Sequence, residues 1–198
     1  MYLTFSKGVM FIVTVLIWIT VLNWFKKNKM SFFSFLIGTL GSFTILMIFL
    51  LEPLEKAMGL GLIKILEVVG SLTHLFNVYP AYSILSVKAY NGIVSMMINY
   101  ECSGVIEILV YISLVAFFPF LSPLRRILAA LGGILYIMAI NILRIITITG
   151  IIKMCGIYSF NIAHTVIARA LFFGLMVVLY YYVFTRVQLR KQGVGGIR

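Results

Sequence analysis

Charge is scarce in this 198-residue chain: 11% of its residues are Asp, Glu, Lys or Arg, whereas 63% are hydrophobic. A water-soluble domain of this size carries roughly a quarter charged residues. The mean hydropathy of +1.13 therefore excludes a soluble globular protein and makes lipid the solvent for much of the chain. Acids are scarcer than bases, five against 16, giving a formal charge of +11. In a soluble chain that excess would point to nucleic acid. In a membrane chain it reports topology, so membrane lipid and no nucleic acid is the expected partner. Cysteine is limited to Cys102 and Cys155, too few for a disulfide framework, although one disulfide between them stays open. Metal-ligand spacing, the Gly-x-Ser-x-Gly elbow of hydrolases and internal repeats are all missing, so no metal site is expected.

What is present is a set of five apolar stretches of spanning length, at about residues 5–25, 32–51, 103–121, 124–146 and 164–185. About 20 helical residues cross a hydrocarbon core of about 30 Å, and lipid leaves no water to satisfy an open backbone. The expected fold is an all-α multi-span membrane protein with about five transmembrane helices, a single integral membrane domain over 1–198. The first stretch lacks a small-x-small cleavage site and ends in Lys26, Lys27 and Lys29, which favours a retained span over a signal peptide. Residues 52–101 form the expected main loop. Within it, 58–76 reads as an interfacial amphipathic helix, because Lys64 and Glu67 interrupt its apolar character. Residues 82–90 and 93–100 read as a small β-hairpin turning at Asn91-Gly92, a pair that tolerates positive φ. A second loop is expected at 147–163, and a flexible tail at 187–198.

Orientation follows from the bases. The segments 26–29 and 125–126, with Arg186, Arg190, Lys191 and Arg198 at the C-terminal end, hold nine, against five spread over the opposite side: Lys7, Lys56, Lys64, Lys88 and Lys153. The dense side is expected to be cytoplasmic, with the chain in a plasma membrane, the N-terminus and both loops outside and the C-terminus inside.

Ionisable groups within or beside spans are costly, which singles out Cys102, Glu107, Arg144, His164 and Arg169. Counting along the helices from the dense side sets their depth. Arg144 lies 18 residues from Arg126, Cys102 lies 21 from Pro123, and His164 lies 22 from Arg186; these are roughly 27, 31 and 33 Å of helix. All three reach the same outer boundary. A thiol attacks as its thiolate, whose formation is favoured by a helix N-terminus, an imidazolium or a guanidinium. His164 suits the base that takes the thiol proton and returns one to a leaving amine. Arg144 is no base at neutral pH but offers fixed donors for an oxyanion. Asn141, one turn before Arg144, is placed to orient the guanidinium or a substrate carbonyl. Gly104 reads as a position of close backbone approach, and Ser103 as a rival nucleophile with no base near in sequence. Arg169 and Glu107, each about a turn deeper, read as an ion pair bracing the third and fifth spans. Cys155 and His74 carry no motif and read as incidental.

In order along the chain, Glu101-Cys102-Ser103-Gly104-Val105, then Asn141-Ile142-Leu143-Arg144, then His164 resemble the exosortase/archaeosortase family of membrane transpeptidases, over about residues 65–185. The resemblance implies Cys102 as nucleophile, with Arg144 and His164 completing the site. It also implies substrates: secreted proteins whose C-terminal signal is a short motif, one transmembrane helix and a basic cluster, cut at the outer face through a thioester on Cys102. Many members have about eight spans, so this chain is closer to the compact Gram-positive type. No cofactor is implied. Two other readings stay open: a small transporter or channel, suggested by charges within spans, and thiol–disulfide exchange between Cys102 and Cys155.

Overall fold

The computed structural model describes residues 2–98, 103–191 and 193. The chain is mostly helical. Helix α1 (Tyr2–Lys27) turns at Asn28–Met30 into α2 (Ser31–Thr73). An antiparallel sheet follows, made of β1 (Asn77–Tyr79), β2 (Ile84–Ala89) and β3 (Gly92–Met97) in that spatial order. Helices α3 (Val105–Phe117) and α4 (Pro123–Cys155) come next. The last helix, α5 (Ala168–Tyr180), is flanked by π-helical turns at Ala163–Ile167 and Tyr181–Thr185. Short α-helical pieces, Phe160–Ile162 and Arg186–Lys191, extend it at either end.

Among the described residues four helical runs, against the five expected, are long and apolar enough to cross a membrane: Gly8–Lys27, Ser31–Thr73, Pro123–Cys155 and Ile157–Arg190. The remaining apolar helix, α3, has 13 residues, about 20 Å of rise against a core of about 30 Å. It is the centre of the bundle, packed against both α2 and α4, with Val105, Tyr111 and Val115 fully buried. Protein therefore covers much of the helix itself. Arg126 Nη2 donates to the carbonyl of Phe118 at 3.0 Å and of Leu121 at 3.5 Å, satisfying acceptors where the helix stops. Gly133 on α4 lets Tyr111 in, since a Cβ there would overlap its ring; the Tyr111 hydroxyl then donates to the Ala129 carbonyl at 2.7 Å.

Several loop expectations are corrected. Residues 52–73 are not loop: α2 runs unbroken through Pro53 for 43 residues, about 65 Å. The amphipathic segment is its continuation, with Leu62, Leu66 and Gly70 buried at helical spacing while Lys64 and Glu67 face outward. Likewise α4 continues nine residues past 146, to Cys155, and residues 187–191 are helix rather than tail. In each case an apolar stripe gains tertiary cover, and that extends the helix beyond the apolar run. The hairpin between residues 82 and 100 is present but turns at Tyr90-Asn91, with Ala89 paired to Gly92. Neither turn residue has positive φ. Asn91 serves another end: its Oδ1 accepts the N–H of Ile157 at 2.9 Å, tying the turn to the α4–α5 connection. The sheet also has a third strand, β1, paired to β2.

Two apolar cores stack along the bundle. One joins α2 beyond Leu62 and the sheet to Ile145, Ile148 and Ile152 of α4. The other joins α3 to Ile137 and Ile140 of α4 and to Phe172, Met176 and Leu179 of α5. The bases of both turns lie at the far end of the second core, where Lys26, Lys29 and Arg126 line one cavity.

Candidate functional site

On α4 the two cores meet between Ile140 and Ile145, and on the last helical run between Ala168 and Phe172. The polar residues singled out by sequence sit at this seam. A cavity of about 530 Å³ is lined by Glu107 of α3, Arg144 of α4, and His164 and Arg169 of the last helical run. Its apolar wall is Ile106 and Val110 on one side and Phe172, Phe173 and Met176 on the other. The cleft opens between the first turns of α3 and the start of α5, which meet further along at Tyr111 and Tyr180. Phe173, 72% exposed, marks its open flank.

Arg144 is 8% exposed. Its guanidinium carbon stands 5.7 Å from the Phe172 ring centroid, a cation–π contact that helps hold a desolvated charge. The side chain lines the cavity, and a guanidinium carries five N–H donors in a fixed fork. His164 stacks on Phe160, four residues earlier, with ring centroids 5.6 Å apart. It lies in the π-helical turn Ala163–Ile167. Such turns widen the helix by one residue and redirect side chains, and they recur at functional sites.

Asn141 is 1% exposed and lines a small void with Arg144 and His164, closed by Met96 of β3 and by Ile98 just after it. Gly104 stands next to it: a Cβ on Gly104 would lie 3.6 Å from the Asn141 amide. That is ordinary contact, so space is not what calls for glycine here. Gly104 has φ of +77° as the residue before α3, a left-handed conformation that costs other residues energy. Ser103 is buried, and its Oγ accepts the N–H of Val105 at 3.4 Å. Cys102 lies outside the described residues.

Glu107 and Arg169 share the cavity. Glu107 stands in the first turn of α3, where the helix dipole favours a carboxylate. Its Oε2 is buried and accepts no hydrogen bond, from Arg169 or from any other described residue. Cys155 is exposed at the end of α4. His74 closes α2 in a left-handed conformation, and its carbonyl accepts Lys153 Nζ at 2.7 Å.

Two contributors went unread in the sequence, Phe160 and Phe172. The spacing of Phe160 to His164 is the i, i+4 signal of a helical ring pair. The Phe172 contact crosses between helices and leaves no local trace. Among the described residues no group of three or more His, Cys, Asp or Glu is placed to hold a metal ion. No family model, no curated protein and no solved structure matches this chain.

Proposed function

We propose that the chain is a membrane-embedded thiol peptidase or transpeptidase, with Cys102 as nucleophile, His164 as general base and acid, and Arg144 as oxyanion stabiliser. The observation that carries this reading is the meeting of Arg144 and His164, from different helices, in one cleft. Gly104 stands beside Asn141, which lines a small void with the same Arg144 and His164. Cys102 precedes Ser103, and consecutive Cα atoms are about 3.8 Å apart. This adjacency in sequence is the basis for assigning Cys102 as the nucleophile of the cleft.

The chemistry balances without a cofactor. His164 takes the thiol proton, and the Cys102 thiolate adds to the scissile carbonyl carbon. The oxygen gains negative charge opposite the Arg144 donors. Collapse breaks the C–N bond, His164 protonates the leaving amine, and a Cys102 thioester remains. An amine or water then attacks the thioester and restores the thiol. Asn141 orients the guanidinium or the carbonyl.

In this reading the sheet end of the bundle is extracytoplasmic and the basic end cytoplasmic, as the charge asymmetry favours. The substrate is a secreted protein ending in a short motif, a transmembrane helix and a basic cluster. Its helix would lie along the open flank between α3 and α5. The test is co-expression with a tagged protein of that design. Processing is expected with the wild type and lost in Cys102→Ala and His164→Gln at unchanged membrane levels; normal processing by Cys102→Ala overturns the assignment.

A further inference from the structure

At the opposite end of the bundle from the thiol site, a second cavity of about 520 Å³ lies where the α1–α2 turn meets the α3–α4 turn. Lys26, Lys29 and Arg126 line it, and no acid among the described residues does. Three cations in one concavity repel one another unless an anion sits between them. Arg126 anchors the far wall through its two carbonyl contacts, and its Nε is buried without a partner. Ser34, 9% exposed, lines the same space. Alongside is the start of α2, whose preceding residue Met30 supplies no side-chain cap.

The backbone adds an independent sign. The α1 helix ends in paired hydrogen bonds, from Met30 N to Phe25 O and from Lys29 N to Lys26 O, both at 3.1 Å. This is the terminus that ordinarily places glycine in the left-handed position. Here that position is Lys29, with φ of 56°. Lys29 takes this position at an energetic cost that glycine would not incur, and its side chain lines the cavity. The remaining wall is apolar, from Met30, Phe35, Phe117 and Pro119. Cations and hydroxyls beside an apolar wall, at the end of spanning helices, match a phosphate with acyl chains attached better than a free ion.

We propose that this cavity binds the headgroup phosphate of an anionic phospholipid, with Lys26, Lys29, Arg126 and Ser34 as its ligands. The full-length protein is purified in phosphatidylcholine nanodiscs, and binding of a fluorescent phosphatidylglycerol is measured by energy transfer from the intrinsic tryptophans. Preference for phosphatidylglycerol over labelled phosphatidylcholine is expected. Lys29→Gly and Ser34→Ala should each weaken it, the former about fivefold. Because glycine suits the left-handed position, Lys29→Gly should unfold at the same or a higher temperature in phosphatidylcholine, so a loss of binding cannot be a loss of fold. Equal binding of both lipids, competition by millimolar inorganic phosphate, or unchanged affinity in both variants would overturn the proposal.

Discussion

Replacing Gly104 with alanine isolates a single backbone conformation at the start of α3. Its φ of +77° lies in the left-handed region, which costs an L-residue about 1–2 kcal/mol. No steric cost adds to this, because the new Cβ would stand 3.6 Å from the Asn141 side chain. A penalty of about 1–2 kcal/mol changes the folded-to-open ratio by about 5- to 30-fold. The strain falls two residues after Cys102, and if the full penalty is carried into the transition state, processing of a tagged substrate should drop by roughly tenfold. Gly104→Asn should recover part of the loss, since asparagine tolerates the left-handed region. Two other glycines serve as controls. At Gly132 a Cβ meets open space, so alanine should be harmless; at Gly133 it collides with the Tyr111 ring, so alanine should destabilise by about 1–3 kcal/mol. Unfolding in detergent, followed by tryptophan fluorescence, ranks the three. If Gly104→Ala matched Gly132→Ala in both stability and processing, the left-handed start of α3 would have no energetic role.

Other predictions follow from the same contacts. Arg144→Lys keeps the charge but loses the planar stack on Phe172 and the fixed fork of donors, so processing should fall by about 10²–10³ with little change in membrane level. Phe172→Leu should cost about 1–2 kcal/mol of stability through the same cation–π contact, read by thermal unfolding. Arg169→Glu would set two acids in the cleft with Glu107 and should lower protein accumulation. The exchange double variant Glu107→Arg with Arg169→Glu should restore it, and failure to restore would exclude coupling between them. Asn91→Ala removes the acceptor of the Ile157 N–H and should cost about 1 kcal/mol, without affecting lipid binding at the opposite end.

Four of the five apolar stretches were legible as helices long enough to cross, because lipid imposes one rule on sequence, an apolar run of sufficient length; the stretch at 103–121 holds the 13-residue α3, whose apolar composition reflects burial among its neighbours. The positions of Arg144 and His164 were legible for a related reason: rise per residue is constant, so counting from the basic turns placed both at one depth, and they do share a cleft. Counting along helices cannot show where helices stand beside one another, so the gap between α3 and α5 left no sequence mark. The extensions of α2 and α4 were hidden because Lys64, Glu67 and Lys153 lower the apolar signal. These residues face outward while their neighbours pack under the sheet. The Asn91-Gly92 pair flagged the hairpin correctly but not its register, since Asn91 is spent on Ile157 rather than on a left-handed turn.

The account stands most directly on the ionisation of one thiol. In a Cys155→Ser background, the rate of Cys102 alkylation by iodoacetamide is followed against pH. The account predicts a thiolate forming below the ordinary thiol value of about 8.5, with the midpoint moving upward in both His164→Gln and Arg144→Gln. A midpoint at the ordinary value, unmoved by either substitution, would contradict it.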